Sequence, residues 1–213
     1  MRIISEYSAI FAVTAASLAS PLACQLPGVS LDASAGGTSS AQRAAVGVWR
    51  PIVNPGGRVR LGVGVRLSAY TGDPVAYTNR GPVPGILPFT VTIDPAVYSL
   101  NAAVFGEVTL TGAVAVGANL DLAGIATGPT RTVGSLQAEP QQGSYFQNGS
   151  GDHGALNSEF FLALRVAPRL RVRAGLSHYV TDYTITDTGV AGSPSSRYQR
   201  FQSVPFIAMA VRL

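Results

Sequence analysis

The sequence predicts an all-β fold, an eight-stranded, antiparallel, up-and-down transmembrane β-barrel, and two observations carry this prediction. The first is the stretch at 58–67, RVRLGVGVRL, which alternates aliphatic residues with arginine or glycine. Because successive side chains of a strand point to opposite faces, one face is apolar and the other is charged or bare. Burying the charged face as the core of a soluble protein is costly, whereas lipid outside and a polar lumen inside suit both faces.

The second observation is the composition. Only 12% of the 213 residues are charged and 46% are hydrophobic, against about 25% charged in an ordinary soluble domain. No window holds about 18 uninterrupted apolar residues, so a transmembrane helix does not explain the hydropathy. The net charge of +4 does not indicate a nucleic-acid partner, because the arginines alternate with apolar residues instead of forming a solvated patch.

The N-terminus predicts a secretory signal peptide over residues 1–23, because a weakly positive start precedes an apolar stretch and small residues. Cleavage is expected after Ala19 or Ala23. Residues 24–213 are then predicted to form a single barrel domain. Cys24 is the one cysteine of the chain, which excludes an internal disulfide framework and leaves its lipidation open.

Eight segments alternate with period two between turn residues and are predicted as the strands. In chain order they are Val29–Ala35, Arg43–Ile52, Arg58–Tyr70, Val97–Thr109, Ala113–Ile125, Ser158–Ala167, Arg171–Thr184 and Tyr198–Leu213. Several exceed the ~9–11 residues that a tilted strand needs to cross a bilayer. Pro205 interrupts the last one, where we expect a bulge or a missing ladder bond.

The connections between these segments alternate in length. Those after the second, fourth and sixth strands are short, whereas those after the third, fifth and seventh are long and rich in Gly, Pro, Ser and Asn. Short periplasmic turns and long external loops are typical of outer-membrane barrels. The proline-rich loop at 71–96 also contains apolar residues, so it is expected to extend the strands or to bind a partner.

Two short connections predict the strand register. A three-residue hairpin loop with Gly112 in the left-handed conformation places Val108 opposite Val114. The same geometry in the next hairpin places Arg165 opposite Arg173. In both hairpins, side chains that face each other then share the same side of the sheet.

The alternation predicts a polar network in the lumen. The residues assigned to it are Arg58, Arg60, Arg66, Arg165, Arg171, Arg173 and Arg212, with Asp32, Glu107, Asp121 and Glu159. An arginine facing the bilayer midplane would cost about 2–4 kcal/mol. We expect Arg66 or Arg60 to pair with Glu107 or Asp121, which would close the barrel with salt bridges. A narrow pore that prefers anions is the alternative, because arginines outnumber carboxylates on this face.

Aromatic residues near the strand ends are predicted to lie at the membrane interfaces. They are Trp49 at the short-turn end and Tyr70, Tyr98, Tyr179 and Tyr183 at the long-loop end. The alternation also allows Trp49 to point inward.

Three segments resemble small OmpA/OmpX-like outer-membrane β-barrel proteins: residues 99–130, 157–184 and the closing FIAMAVRL at 206–213. The resemblance covers roughly residues 29–213. It implies a location in a Gram-negative-type outer membrane, and the C-terminal alternation resembles the signal that the barrel assembly machinery recognises. This chain ends in leucine where an aromatic residue is usual. The resemblance carries no catalytic residues.

No catalytic, cofactor or metal site is predicted. His178 is the only strand histidine, and the adjacent Ser177 faces the other way, which disfavours a Ser–His pair. Asp152 and His153 share a loop, but two ligands are weak evidence for a metal. The expected role is structural or loop-mediated interaction, with membrane lipid, lipopolysaccharide and the assembly machinery as partners and a monomeric state. The alternatives are a narrow pore, an outer-membrane lipid-modifying enzyme and a soluble lipocalin-like barrel, which would have the opposite sidedness.

Overall fold

The computed structural model describes residues 28–54, 57–79, 90–145, 155–189 and 196–213, and this part of the chain contains thirteen strands. They are β1 (Ser30–Gly37), β2 (Ala41–Val53), β3 (Val59–Gly72), β4 (Val75–Asn79), β5 (Thr90–Ile93), β6 (Ala96–Thr109), β7 (Val114–Thr127), β8 (Arg131–Val133), β9 (Leu136–Pro140), β10 (Gly143–Tyr145), β11 (Leu156–Arg165), β12 (Leu170–Asp187) and β13 (Ser196–Arg212). A search of these residues finds no helix with the length and hydropathy to span a membrane. The predicted signal peptide, Cys24, Asp152 and His153 lie outside the described residues.

Eight of these strands form a closed ring. The order of hydrogen-bonded neighbours is β13-β1-β2-β3-β6-β7-β11-β12, and β12 pairs with β13 to complete it. Every pairing in the ring is antiparallel. The predicted eight-stranded, antiparallel, up-and-down barrel is confirmed, and each predicted strand corresponds to one strand of the ring.

Five short strands lie at the long-loop end. Two of them, β4 and β5, belong to the loop at 71–96, which was expected to extend the strands or to bind a partner, whereas β8, β9 and β10 were not predicted. The β4–β5 hairpin pairs with the start of β13, the β8–β9 hairpin pairs with the end of β12, and β10 pairs with β7. They continue the sheet where the shorter ring strands β1 and β11 have already ended. These five short strands, β4, β5, β8, β9 and β10, therefore extend the barrel at the long-loop end, and together they are called the hairpin tier below.

The predicted hairpin registers are wrong by two residues. Val108 pairs with Val116, and Arg165 pairs with Arg171. Because a shift of two preserves the face of every side chain, the assignment of inward and outward residues is unchanged. Gly112 is not among the glycines with positive φ in the described residues; instead, the hydroxyl of Thr111 accepts hydrogen bonds from the backbone N–H groups of Ala113 and Val114.

Pro205 lies inside β13 without a bulge. It pairs with Leu176 of β12, and the register continues unshifted on both sides of it. The pairing of β13 with β1 stops one residue away, at Phe206. The proline therefore falls where one of its two neighbouring ladders has already stopped, a position that tolerates a missing N–H.

The barrel is apolar outside and charged inside. On β3 the outward side chains Val63, Val65 and Leu67 are 44–55% exposed, whereas the intervening Arg66 is 1% exposed. Similar apolar exposure occurs on β11 and β13, for example at Leu162 and Ile207. This sidedness is the reverse of that of a soluble barrel, which keeps its apolar residues inside.

Candidate functional site

The centre of the barrel holds a neutral cluster of two arginines and two carboxylates. Arg66 places Nη2 at 2.5 Å from Oδ1 of Asp121 and Nη1 at 3.1 Å from Oε2 of Glu159. Arg43 reaches the other oxygen of Glu159, with Nη2 and Oε1 2.7 Å apart. These side chains are at most 2% exposed. They come from β2, β3, β7 and β11, so the cluster crosslinks the interior of the barrel.

Side-chain and backbone amides complete the coordination of both carboxylates. Asn101 donates to Oδ2 of Asp121 at 2.7 Å, and the backbone N–H of Asn157 donates to the same oxygen at 3.0 Å. Asn119 donates to Oε2 of Glu159 at 2.6 Å. Buried charges are tolerated only when they are both paired and hydrogen-bonded. The two carboxylates of the central cluster meet both conditions.

A second group of ion pairs lies nearer the short-turn end. Asp32 accepts hydrogen bonds from the indole Nε1 of Trp49, at 2.7 Å, and from Arg173. The guanidinium of Arg173 also lies over the ring of Phe161, 4.8 Å from its centroid, in a cation–π contact. Aromatic rings therefore fill the space between the charged groups here.

Glu107 is shared by two arginines. Arg60 approaches it at 3.3 Å, and Arg171 also donates to it. The side chains of Arg60 and Arg171 are 18% and 26% exposed. The ion pairs of Glu107 are therefore more accessible to solvent than those of the central cluster.

A layer of tyrosines closes the interior towards the long-loop end. Tyr70 and Tyr179 stack with their ring centroids 5.0 Å apart. The Tyr179 hydroxyl donates to Ser68 and the Tyr70 hydroxyl donates to Gln202. Both tyrosines are 1% exposed, so solvent hardly reaches them.

The hairpin tier adds its own apolar cover. Tyr77 of β4 packs edge-on against Tyr183, at 5.2 Å between centroids, within a cluster that includes Ile93 and Val97. The Tyr77 hydroxyl shares a 2.9 Å hydrogen bond with Thr181. Burial raises the pKa of Tyr77 above its ordinary value, so its phenol stays protonated over the physiological range.

The structure divides the predicted lumen residues into two sets. Eight lie in the ion-paired clusters: Asp32, Arg60, Arg66, Glu107, Asp121, Glu159, Arg171 and Arg173. Arg58, Arg165 and Arg212 are exposed at the short-turn rim. Both alternatives for the expected pairing occur, since Arg66 pairs with Asp121 and Arg60 pairs with Glu107.

Arg43 is the interior residue that sequence analysis missed. Arg43 is followed by a segment of small residues, AAVGV. Neither face of this segment carries a polar side chain, so the alternation does not show which face points inward. Its spacing of six residues from Trp49 is the pattern that places both on one side of β2. The indole hydrogen bond to Asp32 fixes that side as the inner one.

The predicted interfacial position is wrong for Tyr70, Tyr179 and Tyr183, and of the two positions left open for Trp49 the inward one is observed. Trp49, Tyr70, Tyr179 and Tyr183 are 0–4% exposed and lie inside, whereas Tyr98 is 47% exposed on the outer face. The inward four each have a hydrogen-bond partner for the N–H or hydroxyl group, which makes their burial favourable.

On the inner face of the RVRLGVGVRL stretch, glycine leaves space for the ring of Trp49. A Cβ atom on Gly64 would collide with the ring of Trp49 and with the backbone of β2, and one on Gly47 would collide with the same indole. The glycines therefore leave the volume that the indole occupies, and Phe105 packs edge-on against it at 5.8 Å between centroids.

His178 lies on the outer face. Its Nδ1 is 2.7 Å from the hydroxyl of Ser203, and its ring stacks on Phe201 at 5.6 Å between centroids. Within the described ranges, no group of three or more His, Cys, Asp or Glu residues is placed to hold a metal ion.

These features define a class of protein: a closed eight-stranded β-barrel with an apolar exterior and an ion-paired interior. No family model and no curated protein matches the chain. Among solved structures, the chain is similar to the crystal structure of Neisserial surface protein A, with a TM-score of 0.45 and 16% identity over 87% of this chain and 96% of that one. It is also similar to a major outer membrane protein from Thermus thermophilus, with a TM-score of 0.32 and 13% identity over 87% and 99% of the two chains.

Proposed function

We propose that the chain is an outer-membrane β-barrel protein with a structural or loop-mediated interaction role, held shut by its ion-paired interior. The sidedness of the barrel carries this proposal. A ring of exposed Val, Leu, Ile and Phe side chains surrounds buried arginines and carboxylates. Lipid is the solvent in which that arrangement is favourable, because every backbone polar group of a closed barrel is satisfied internally.

The filled interior supports a structural role over a transport role. The central cluster and the tyrosine layer are nearly inaccessible to solvent. An eight-stranded barrel has an interior that side chains about fill, so these groups leave no room for a solute path. The interior would then act as the crosslink that stabilises the barrel.

The hairpin tier supports an interaction role for the long-loop end. The β4–β5 and β8–β9 hairpins are paired to β13 and β12 and are therefore held in fixed positions. In the proposed orientation this tier projects from the outer leaflet, where lipopolysaccharide is the neighbouring surface. The short-turn end and both termini would lie in the periplasm, and the barrel would be a monomer after insertion by the assembly machinery.

Purification and gel migration test the proposal. The full chain is expressed in a Gram-negative host, the membranes are fractionated, and the protein is extracted with and without detergent. We expect it in the outer-membrane fraction, soluble only with detergent, and migrating differently on a gel before and after boiling, because a closed barrel resists dodecyl sulfate. Recovery of folded, monodisperse protein from the soluble fraction without detergent would contradict the proposal.

A further inference from the structure

The interior opens at the short-turn end into a cavity of about 430 Å³. Ten residues line it, and none of these is acidic. Five are arginines, namely Arg50, Arg60, Arg165, Arg171 and Arg212. A structural or loop-mediated interaction role does not explain why five arginines line this cavity.

The positive charge in this cavity is only partly compensated. Arg60 and Arg171 share the single carboxylate of Glu107. Arg165 donates to the backbone carbonyl of Gly112, and within the described part of the chain neither Arg165 nor Arg212 forms a salt bridge with a carboxylate. The cavity therefore holds more guanidinium groups than the protein neutralises.

The arginines are also close to one another. Arg60, Arg171 and Arg212 line both this cavity and the smaller space next to it. Like charges so close together destabilise a site, and a bound anion would relieve the repulsion. The paired N–H groups of guanidinium match the oxygens of phosphate in a bidentate geometry.

On the side of the barrel centre, the cavity adjoins a smaller space of about 60 Å³. The two spaces share Arg60, Arg171 and Arg212, and the lining of the smaller one also includes the carboxylates Asp32 and Glu107. Beyond that space lies the central cluster, which is almost fully buried. An anion that enters from the short-turn end would therefore be held there and would not pass through.

We propose that this short-turn cavity is a binding site for a phosphate-bearing anion, recognised by Arg165, Arg171 and Arg212. Two ligands share that chemistry, a soluble phosphate compound and the headgroup of an anionic phospholipid at the membrane rim. The proposal goes beyond the structural role and does not depend on it, since the cavity belongs to the folded barrel in any environment.

Calorimetric titration with inorganic diphosphate at low ionic strength tests the site. The probe is added to the folded chain in nonionic detergent, and to the chain in plain buffer if it proves soluble. We expect saturable binding that weakens as sodium chloride is raised. The double variant Arg165→Gln/Arg212→Gln should bind at least ten-fold more weakly, because these two guanidiniums have no carboxylate partner among the described residues and are free to bind the anion.

The matched control is Arg131→Gln, which removes an arginine from β8 at the opposite end of the barrel, where it pairs with Asp94. It should bind diphosphate like the unaltered chain. Folding of each variant is checked by its migration before and after boiling. Absence of saturable binding by the unaltered chain, or an equal loss in the control, would overturn the proposal.

Nanodiscs distinguish the two sources of phosphate. The titration is repeated in discs of phosphatidylcholine alone and in discs that also contain phosphatidylglycerol. If a lipid headgroup occupies the site, phosphatidylglycerol should weaken diphosphate binding to the unaltered chain. Equal affinity in both discs would assign the site to a soluble phosphate compound.

Discussion

Arg66 and Asp121 form an ion pair of 2.5 Å across the barrel, between β3 and β7, which are separated in the ring by β6. A contact between strands that are not neighbours in the sheet cannot arise from the backbone ladder. The ion pair therefore resists changes in the cross-section of the barrel. Backbone hydrogen bonds between neighbouring strands do not prevent such changes. With Arg43 and Glu159, this pair joins four of the eight ring strands.

Replacing Asp121 with Asn should destabilise the barrel strongly. The change leaves Arg66 with a reduced set of partners in a site that is essentially closed to water. Removal of one member of a buried ion pair typically costs about 3–5 kcal/mol. Urea unfolding in micelles, followed by tryptophan fluorescence, measures the free energy of unfolding.

Glu107→Gln is the matched control for Asp121→Asn. Glu107 also pairs with arginine, but its two partners are 18% and 26% exposed. Glu107 itself is 6% exposed, but both of its partners are partly solvated, so its loss should cost less than the loss of Asp121. Equal losses in the two variants, or no loss for Asp121→Asn, would show that the central cluster does not crosslink the barrel.

Trp49 should be shielded from lipid. It is the only tryptophan of the chain and is 4% exposed, with its indole hydrogen-bonded to Asp32 inside the barrel. Brominated acyl chains quench only the fluorophores that they contact. We therefore expect little quenching of Trp49 when the protein is reconstituted in brominated lipid.

The variant Trp49→Phe/Tyr98→Trp provides the comparison. Position 98 lies on the outer face, where its side chain is 47% exposed, so its fluorescence should be strongly quenched in the same lipid. Strong quenching of the native tryptophan would place Trp49 at the interface and contradict the interior hydrogen bond.

The period of two in the sequence predicted the ring strands and the inner face of the charged residues that it assigned to the lumen, but not that of Arg43. Strand β3 shows why, because every inward position from Arg60 to Arg66 is arginine or glycine and every outward one is aliphatic. Inverting that strand would expose two arginines to lipid, so its orientation is strongly determined. The alternation determined the register less well. A shift of two residues keeps every side chain on the same face, so only the conformation of the turn distinguishes the two registers.

The contents of the interior were only partly predictable. Trp49 and Tyr179 are amphipathic residues that suit both a membrane interface and a buried site with a hydrogen-bond acceptor. Their position depends on partners in other strands, Asp32 for Trp49 and Ser68 for Tyr179. The alternation within one strand does not contain that information. Strands β8, β9 and β10 were missed because they are only three to five residues long.

Gly64 should not tolerate a larger side chain. A Cβ atom there would meet the ring of Trp49 and the carbonyl oxygen of Val48. Overpacking of a filled interior typically costs about 1–3 kcal/mol, so Gly64→Val should lower the temperature at which the folded band is lost on a gel. Gly112→Ala is the control, because nothing lies within 4 Å of its added Cβ. An unchanged transition for Gly64→Val would show that the indole does not fill this space.

The unaltered barrel should not conduct in planar bilayers. The central cluster and the stacked Tyr70 and Tyr179 close the interior at two successive levels. Arg66→Ala/Asp121→Ala should also stay silent, because the layer of Tyr70 and Tyr179 and the buried cluster around Tyr77 and Tyr183 remain in place. Discrete steps from the unaltered protein would favour the narrow-pore alternative.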